Sequence, residues 1–368
     1  MVIKQVDVLT KDLSLEDGFQ HFTSGKITEL KEVYVKIIAD DGTVGFGEVR
    51  GNCEYTIGAS QRATVSVLVE TLVPQILGRD PFDIADNMAR VDRAIVGNPA
   101  PKAAIDIALH DWVARRLGVP VFRLLGGLAA VDFTSNQSIG FASSDRTVEM
   151  ARGFMDRGYR KLKVRVGQTP LDKDLERLQA IRDEVGWQVP IAVDANQAWS
   201  VKEATKHIAQ MERFKIEYVE QPVWADDIEG LREVTQNSPV PVMADESLHS
   251  LHSAFEIAST RAADLFHIKL VKSGGIVGAR KIMAVAEGAG IGYMMGQMNE
   301  GALATAATVH CAAASRARYF ELYGTEGITN DPASGLEFRG GDPVLKEEPG
   351  FGIQLAEDQL HLEHSMWA

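Results

Sequence analysis

Ile191-Ala-Val-Asp194-Ala-Asn196, Glu217-Tyr-Val-Glu220-Gln-Pro222 and Val242-Met-Ala-Asp245-Glu246 are three short runs, mainly apolar, that each close on a carboxylate. Between the first two lies a stretch of helical periodicity, Val201 to Phe214, and another, Leu171 to Val185, precedes them. Working outward, eight β-like runs, these three among them, begin near Phe133, Lys161, Pro190, Ile216, Pro241, Asp264, Ile291 and Arg318. The repeat averages roughly 26 residues, the size of one βα unit, and eight evenly spaced units suit a closed barrel better than an open sheet.

The flanks read differently. Val2 to Leu9, Glu32 to Ile38 and Thr43 to Val49 have strand character, and Asp40-Asp41-Gly42 is a hairpin turn signal because Gly accepts a positive φ. Residues 60 to 118 then read as helices. Apolar residues recur at helical spacing from Lys102 to Trp112, and Gly118-Val-Pro120 stops the run. Strands followed by helices describe an α+β unit. The last 40 or so residues, with Asp331-Pro332, Gly340-Gly341 and Pro349-Gly350, lose the alternation and are expected to return to that unit. The expected architecture is therefore α/β, a (β/α)-barrel over 126–325 with an α+β capping domain over 1–125 that the tail, 326–368, completes. The Ala-rich helix from Ala302 to Ala314 is expected to pack tightly on the barrel.

Composition narrows the function. A chain of 368 residues buries a large core without staples, and Cys53 and Cys311 are too few for a disulfide framework. A reduced, cytoplasmic setting fits. No run of 18 apolar residues occurs and the N-terminus is mixed and acidic, so neither a membrane span nor a secretory signal is expected. With 51 acidic against 38 basic residues the net charge is −13, which disfavours nucleic acid but leaves a small anionic substrate open, since that responds to the local field.

Barrel active sites form at the C-terminal ends of the strands, where Asp194, Glu220 and Asp245 stand on three consecutive strands. One strand-end acid carries little weight, because charges often open loops. Three on neighbours about 4.8 Å apart would repel strongly without a cation, and an all-oxygen set suits Mg²⁺. Asn196, two residues past Asp194, is placed to hydrogen-bond the ligands. Alternation points Glu246 away from Asp245. The second barrel strand, Lys161-Leu-Lys163-Val-Arg165, sets three cations on one face, and the sixth brings His267 and Lys269 to one side. Strands two and six face each other across a closed barrel, so a bound carboxylate would have Lys163 and Arg165 on one flank and Lys269 on the other. A lysine flanked by Leu265, Phe266, Ile268 and Leu270 is buried and needs a partner. His267 reads first as a packed, hydrogen-bonded core residue.

Together these residues resemble the enolase superfamily, in its mandelate racemase and muconate lactonizing branch. The likeness spans nearly the whole chain. It runs through Gly42-Thr-Val-Gly45-Phe-Gly47-Glu48, Ala104-Ile-Asp106-Ile-Ala108-Leu-His-Asp111 and Leu124-Leu-Gly-Gly127, then Asp194-Ala-Asn196, Glu220-Gln-Pro222 and Asp245-Glu-Ser247. It continues to Lys269-Leu-Val-Lys-Ser-Gly-Gly275 and to Gly296-Gln-Met-Asn-Glu300, whose Glu300 fits the muconate-lactonizing subgroup. The resemblance implies a (β/α)7β form of the TIM barrel, a homo-oligomer, Mg²⁺ on Asp194, Glu220 and Asp245, and a small carboxylate substrate. A lysine would remove the α-proton and the metal would stabilise the enediolate.

The family's Lys-x-Lys on the second strand is here Lys163-Val-Arg165, with Arg165 where the proton shuttle normally stands. Arginine hardly ever deprotonates. Lys269 is therefore expected to act as base, with Lys163 and Arg165 as acid or electrostatic partners. One shuttle fewer tilts the expectation toward β-elimination of water from a hydroxy acid or hydroxy-amino acid. Racemisation or epimerisation of an amino-acid derivative and cycloisomerisation of the muconate type are the alternatives, and a non-catalytic metal- or carboxylate-binding barrel is the reading outside enzymology. Dipeptide epimerases of the family usually carry Asp-x-Asp after the eighth strand; Phe320-Glu321-Leu-Tyr323 stands here, with Glu321 facing the site, and disfavours a dipeptide. Loops near Phe22 to Glu29 and Arg50 to Thr56 are expected to shape specificity.

Overall fold

The Asp40-Asp41-Gly42 turn forms as its chemistry requires. Gly42 has φ 82°, and Asp41 accepts the Thr43 backbone N–H at 3.0 Å. A computed structural model describes residues 1–21, 25–130 and 132–368. The turn joins β2 (Gly25–Ala39) to β3 (Val44–Arg50), and β1 (Ile3–His21) pairs antiparallel with β2. His361–Trp367 adds to the free edge of β1 as an antiparallel strand. The first hairpin is longer than the sequence suggests. A bulge between Ser14 and Phe19 breaks the alternation, and Leu13, Ile27 and Leu30 form a small separate cluster beneath the extension.

This sheet lies on the helix Pro99–Leu117, which Gly118 ends in the left-handed conformation at φ 69°. The helix sits so close that a Cβ on Gly45 or Gly47 would fall 2.5 Å from the Ala108 oxygen or 2.0 Å from the Ala104 oxygen. The spacing Gly-x-Gly is thus a packing requirement. The same helix ties the parts of the chain together through two buried aspartates. Asp111 accepts the N–H groups of Phe46 and Phe351 at 2.9 and 3.1 Å, and Asp106 accepts those of Ile276 and Val277 at the start of a barrel helix.

Among the described residues eight parallel strands form the barrel: β4 (Asn136–Ile139), β5 (Lys161–Arg165), β6 (Ile191–Asp194), β7 (Ile216–Glu220), β8 (Val242–Ala244), β9 (Leu265–Lys269), β10 (Gly292–Gly296) and β11 (Tyr319–Glu321). A parallel bridge between Ser135 and Phe320 brings the two edges together. Ala192, Tyr218, Met243, Leu265, Met294 and Tyr319 form one buried cluster, so the lumen is a packed floor rather than a pore. Helix Ala302–Ala313 docks on the cap, with Glu48 accepting the Ala304 N–H at 2.8 Å and Asp331 the Ala302 N–H at 2.7 Å. Among the described residues no helix is long and apolar enough to cross a membrane.

Candidate active site

Strand register brings the acids together. Arg165 on β5 pairs with Asp194 on β6, and Asp194 pairs with Glu220 on β7. One strand further, the chain leaves β8 at Ala244 and Asp245 follows. Gln221, itself held at φ 33°, accepts the Asp245 N–H at 2.9 Å and the Ser247 N–H at 3.1 Å through one side-chain oxygen, and so fixes that loop. Its signal was the Glu220-Gln-Pro222 motif, but no chemistry marked the Gln itself.

The carboxylates are buried and interleaved with ammonium groups. Lys163 Nζ lies 3.4 Å from Asp194 Oδ2, 3.3 Å from Glu220 Oε2 and 2.5 Å from Glu321 Oε2. Lys269 Nζ lies 2.7 Å from Asp245 Oδ2, and Lys272, which sequence reasoning did not single out, reaches Asp245 Oδ1. His267 Nδ1 is 2.9 Å from Glu220 Oε1. Asn196 bonds Asp194 twice, from its backbone N–H to Oδ1 at 2.9 Å and from its side chain to Oδ2 at 3.2 Å. Glu246 does not turn away: alternation ended with the strand, and its Oε1 accepts from Asn196 at 3.3 Å beside the cavity.

Burial and neighbours set the charges. Burial works to raise Asp245, but Lys269 and Lys272 outweigh it and hold the carboxyl well below the usual range. Glu220 goes the other way, raised by burial and by Asp194, Glu321 and Asp245 beyond what Lys163 offsets. Burial would lower Lys163 and Lys269, yet the surrounding carboxylates prevail and raise both. His267 is pushed well down by burial and by Lys269, and is a neutral imidazole.

A cavity of about 40 Å³ lies above the cluster, with Lys163, Arg165, Asp194, Asp245, Lys269 and Glu321 in its lining and the cap supplying Arg50 and Thr56. The Arg50–Thr56 loop therefore reaches the site as expected; Phe22, Thr23 and Ser24 of the other loop lie outside the described residues. Past Arg165, Asn299 and Tyr323 the cavity meets a groove of about 790 Å³ bordered by Phe141, Met150 and Phe154. Glu300 is buried but does not line the cavity; its carboxyl is pushed up to about 8 by burial, against the pull of Arg50 and Lys269.

The donor set fits a divalent cation. Asp194, Glu220 and Asp245 are nearly inaccessible, and Glu246 Oε2 and Asn196 Oδ1 have no hydrogen-bond partner among the described residues. The atoms lying within 4.8 Å of one another come from Glu220, Asp245 and His267, while Asp194 is held by Asn196 and Lys163. Mg²⁺ prefers hard oxygen donors, so a set of Asp194, Glu220 and Asp245 would suit it better than one that includes the His267 imidazole.

Comparison with known proteins agrees with this geometry over most of the chain. The family model described as mandelate racemase / muconate lactonizing enzyme, N-terminal domain, matches residues 12–126, and that described as enolase C-terminal domain-like matches residues 146–359. The chain is similar to the L-Ala-D/L-Glu epimerase of Clostridium acetobutylicum, at 37% identity over 96% of this chain and 99% of that protein. It is similar to the chloromuconate cycloisomerase of Cupriavidus necator at 34% identity, over 90% of this chain and 91% of that one. The crystal structure of the N-succinyl Arg/Lys racemase from Bacillus cereus superposes with a TM-score of 0.95 at 31% identity, covering 100% of both chains.

Proposed function

From its membership of the mandelate racemase and muconate lactonizing family of the enolase superfamily, to which the chain belongs, we propose that this enzyme epimerises or racemises an N-substituted amino acid at the carbon next to its carboxylate. The dehydration expected from Arg165 gives way to this reading, because the matched relatives are epimerases, racemases and cycloisomerases. The observation that carries it is the position of two amines. Lys163 and Lys269 both line the cavity, and they come from β5 and β9, strands with three others between them in either direction around the barrel. Inversion at carbon needs a proton carrier on each face, and opposed strands supply one each.

Asp194, Glu220 and Asp245 would hold the cation, with Mg²⁺ the hard ion of choice. When bound, such a cation supplies Lewis acidity to the substrate carboxylate, easing the charge that builds as the α-proton leaves. The chain's own residues do the rest. Lys269 takes the proton on one face and Lys163 returns one on the other. Arg165 keeps its charge throughout and holds an anionic group of the substrate at the neck between cavity and groove. Asn196 holds Asp194 in place, and His267, donating to Glu220, fixes that carboxylate from below. Glu321 is committed to Lys163, which leaves it a poor receptor for a free α-ammonium and favours an acylated amine over a dipeptide. The groove has room for a substituent far larger than a hydroxyl. We assign the enzyme to the cytoplasm, as a homo-oligomer; both cysteines are free and buried.

One observation favours a second reading. Lys163 Nζ is held by three carboxylates and Arg165 cannot carry a proton, so a single working base, Lys269, would suit elimination or cycloisomerisation. Polarimetry and NMR on N-acyl amino acids, dipeptides, β-hydroxy acids and muconates separate the two. A change in optical rotation with no product other than the stereoisomer at the α-carbon is the expected result; an alkene, keto acid or lactone would establish the second reading instead.

A further inference from the structure

The three ammonium groups around the carboxylates are not equivalent. Lys163 and Lys269 line the catalytic cavity, whereas Lys272 is absent from its lining and has no solvent exposure. Lys272 projects from the single helical turn Leu270–Ser273 that follows β9 directly. Its Nζ reaches Asp245 Oδ1, the Asp245 main-chain oxygen at 2.5 Å and the His267 main-chain oxygen at 3.3 Å. An ammonium has three N–H groups, so all three are used. The other oxygen of Asp245, Oδ2, is held at 2.7 Å by Lys269 from the cavity side. Each oxygen of one carboxylate is thus claimed by a different lysine, one at the cavity and one walled off behind it.

We propose that Lys272 is a positioning residue for the cation site: it pins Asp245 by Oδ1 and by its main chain, so that Oδ2 alone is offered to a divalent ion and Lys269 is the lysine that yields it. The inference rests on the reading of Asp194, Glu220 and Asp245 as ligands. It also explains why a cation is kept so near a site that must bind another. Charge alone would make any nearby lysine weaken metal binding. A lysine that orients a ligand does the reverse, since supporting partners of ligands typically contribute about 10- to 100-fold in metal affinity.

The two effects have opposite signs, which makes the test sharp. Mn²⁺ is titrated, by electron paramagnetic resonance, into the wild-type protein, Lys272→Met and Lys269→Met, with circular dichroism to check folding. Lys272→Met is expected to bind Mn²⁺ about 10- to 100-fold more weakly, and Lys269→Met as tightly as wild type or more so. Wild-type or tighter binding by Lys272→Met overturns the inference. A wild-type protein that binds no Mn²⁺ overturns the ligand reading beneath it, a distinguishable failure. Should Lys272→Met not fold, wild-type protein labelled with acetic anhydride answers the same question. Saturating Mn²⁺ is expected to increase labelling of Lys269 and leave Lys272 unlabelled; label appearing on Lys272 contradicts the assignment.

Discussion

Two buried acidic clusters, one at the barrel's mouth and one in the seam between cap and barrel, meet the same problem in opposite ways. At the mouth, Asp194, Glu220, Asp245 and Glu321 are laced with Lys163, Lys269 and Lys272 at salt-bridge distance. In the seam, Glu32, Glu48, Glu300 and Asp331 lie near one another, with Arg50 acting on Glu32 and Glu300 and Lys269 on Glu300. Neither oxygen of Glu32 has a hydrogen-bond partner among the described residues, and Glu32 and Glu48 are both raised well above the usual carboxyl range, by burial first and then by each other or by Asp331. An uncompensated buried acid keeps its proton. At the mouth the ammonium groups of Lys269 and Lys272 hold Asp245 well below the usual range, whereas in the seam Glu32 and Glu48 are both pushed up. Asp194, Asp245 and Glu321 of the mouth line a cavity that an ion or substrate can enter.

The largest effect that would break this contrast is on chemistry. Lys269→Met is expected to cut α-proton exchange with solvent deuterium by about 10²- to 10⁴-fold while its thermal stability stays close to wild type. Exchange at the wild-type rate would remove Lys269 from the base role. Next comes ion binding. Glu220→Gln is expected to lower Mn²⁺ affinity by at least about 100-fold, whereas Glu300→Gln, the matching change in the seam, leaves it unaltered. Equal losses in calorimetric titration would mean that the clusters are not distinct.

A smaller effect is expected on stability. Mg²⁺ at about 100 times its Kd adds about 2.7 kcal/mol, read as a rise of a few degrees in Tm that EDTA reverses. An unmoved Tm in saturating Mg²⁺ counts against a built site. The smallest concerns the seam. The folded-state pKa of Glu300, about 8, lies above its unfolded value near 4.5, so its contribution is full below the lower value and is lost as pH rises through the upper one. Stability should accordingly decline from about pH 5 to about pH 8, and Glu300→Gln should flatten that slope. A variant with the wild-type slope would show that the proton resides elsewhere in the seam.

The mouth is far more legible in the sequence than the seam. Apolar runs ending in a carboxylate mark strand ends whatever their partners, so Asp194, Glu220 and Asp245 align from their spacing alone. Strand alternation places Lys163, Arg165, His267 and Lys269 on the inner face. The same alternation misplaces Glu246, because β8 ends at Ala244 and its period of two ends there too. Lys272 is hidden because it lies on a helical turn, where nothing in its neighbours' polarity shows that its amine folds back on Asp245. The seam is legible only in its hairpin half. The β2–β3 hairpin pairs the strands that carry Glu32 and Glu48, but Glu300 and Asp331 lie far along the chain and join them through the docking of helix Ala302–Ala313 on the cap. The long β1–β2 hairpin reads as a shorter one because Lys11 to Asp17 is too charged to show alternation across its bulge.

The most direct single measurement follows the α-proton of an N-acyl amino acid by NMR in D₂O, with enzyme in Mg²⁺ and again in excess EDTA. Exchange accompanied by appearance of the opposite stereoisomer in Mg²⁺, and neither in EDTA, is the expected result. Exchange that continues unchanged in EDTA would contradict the proposed chemistry, because the carboxylates at the barrel's mouth would then serve no cation.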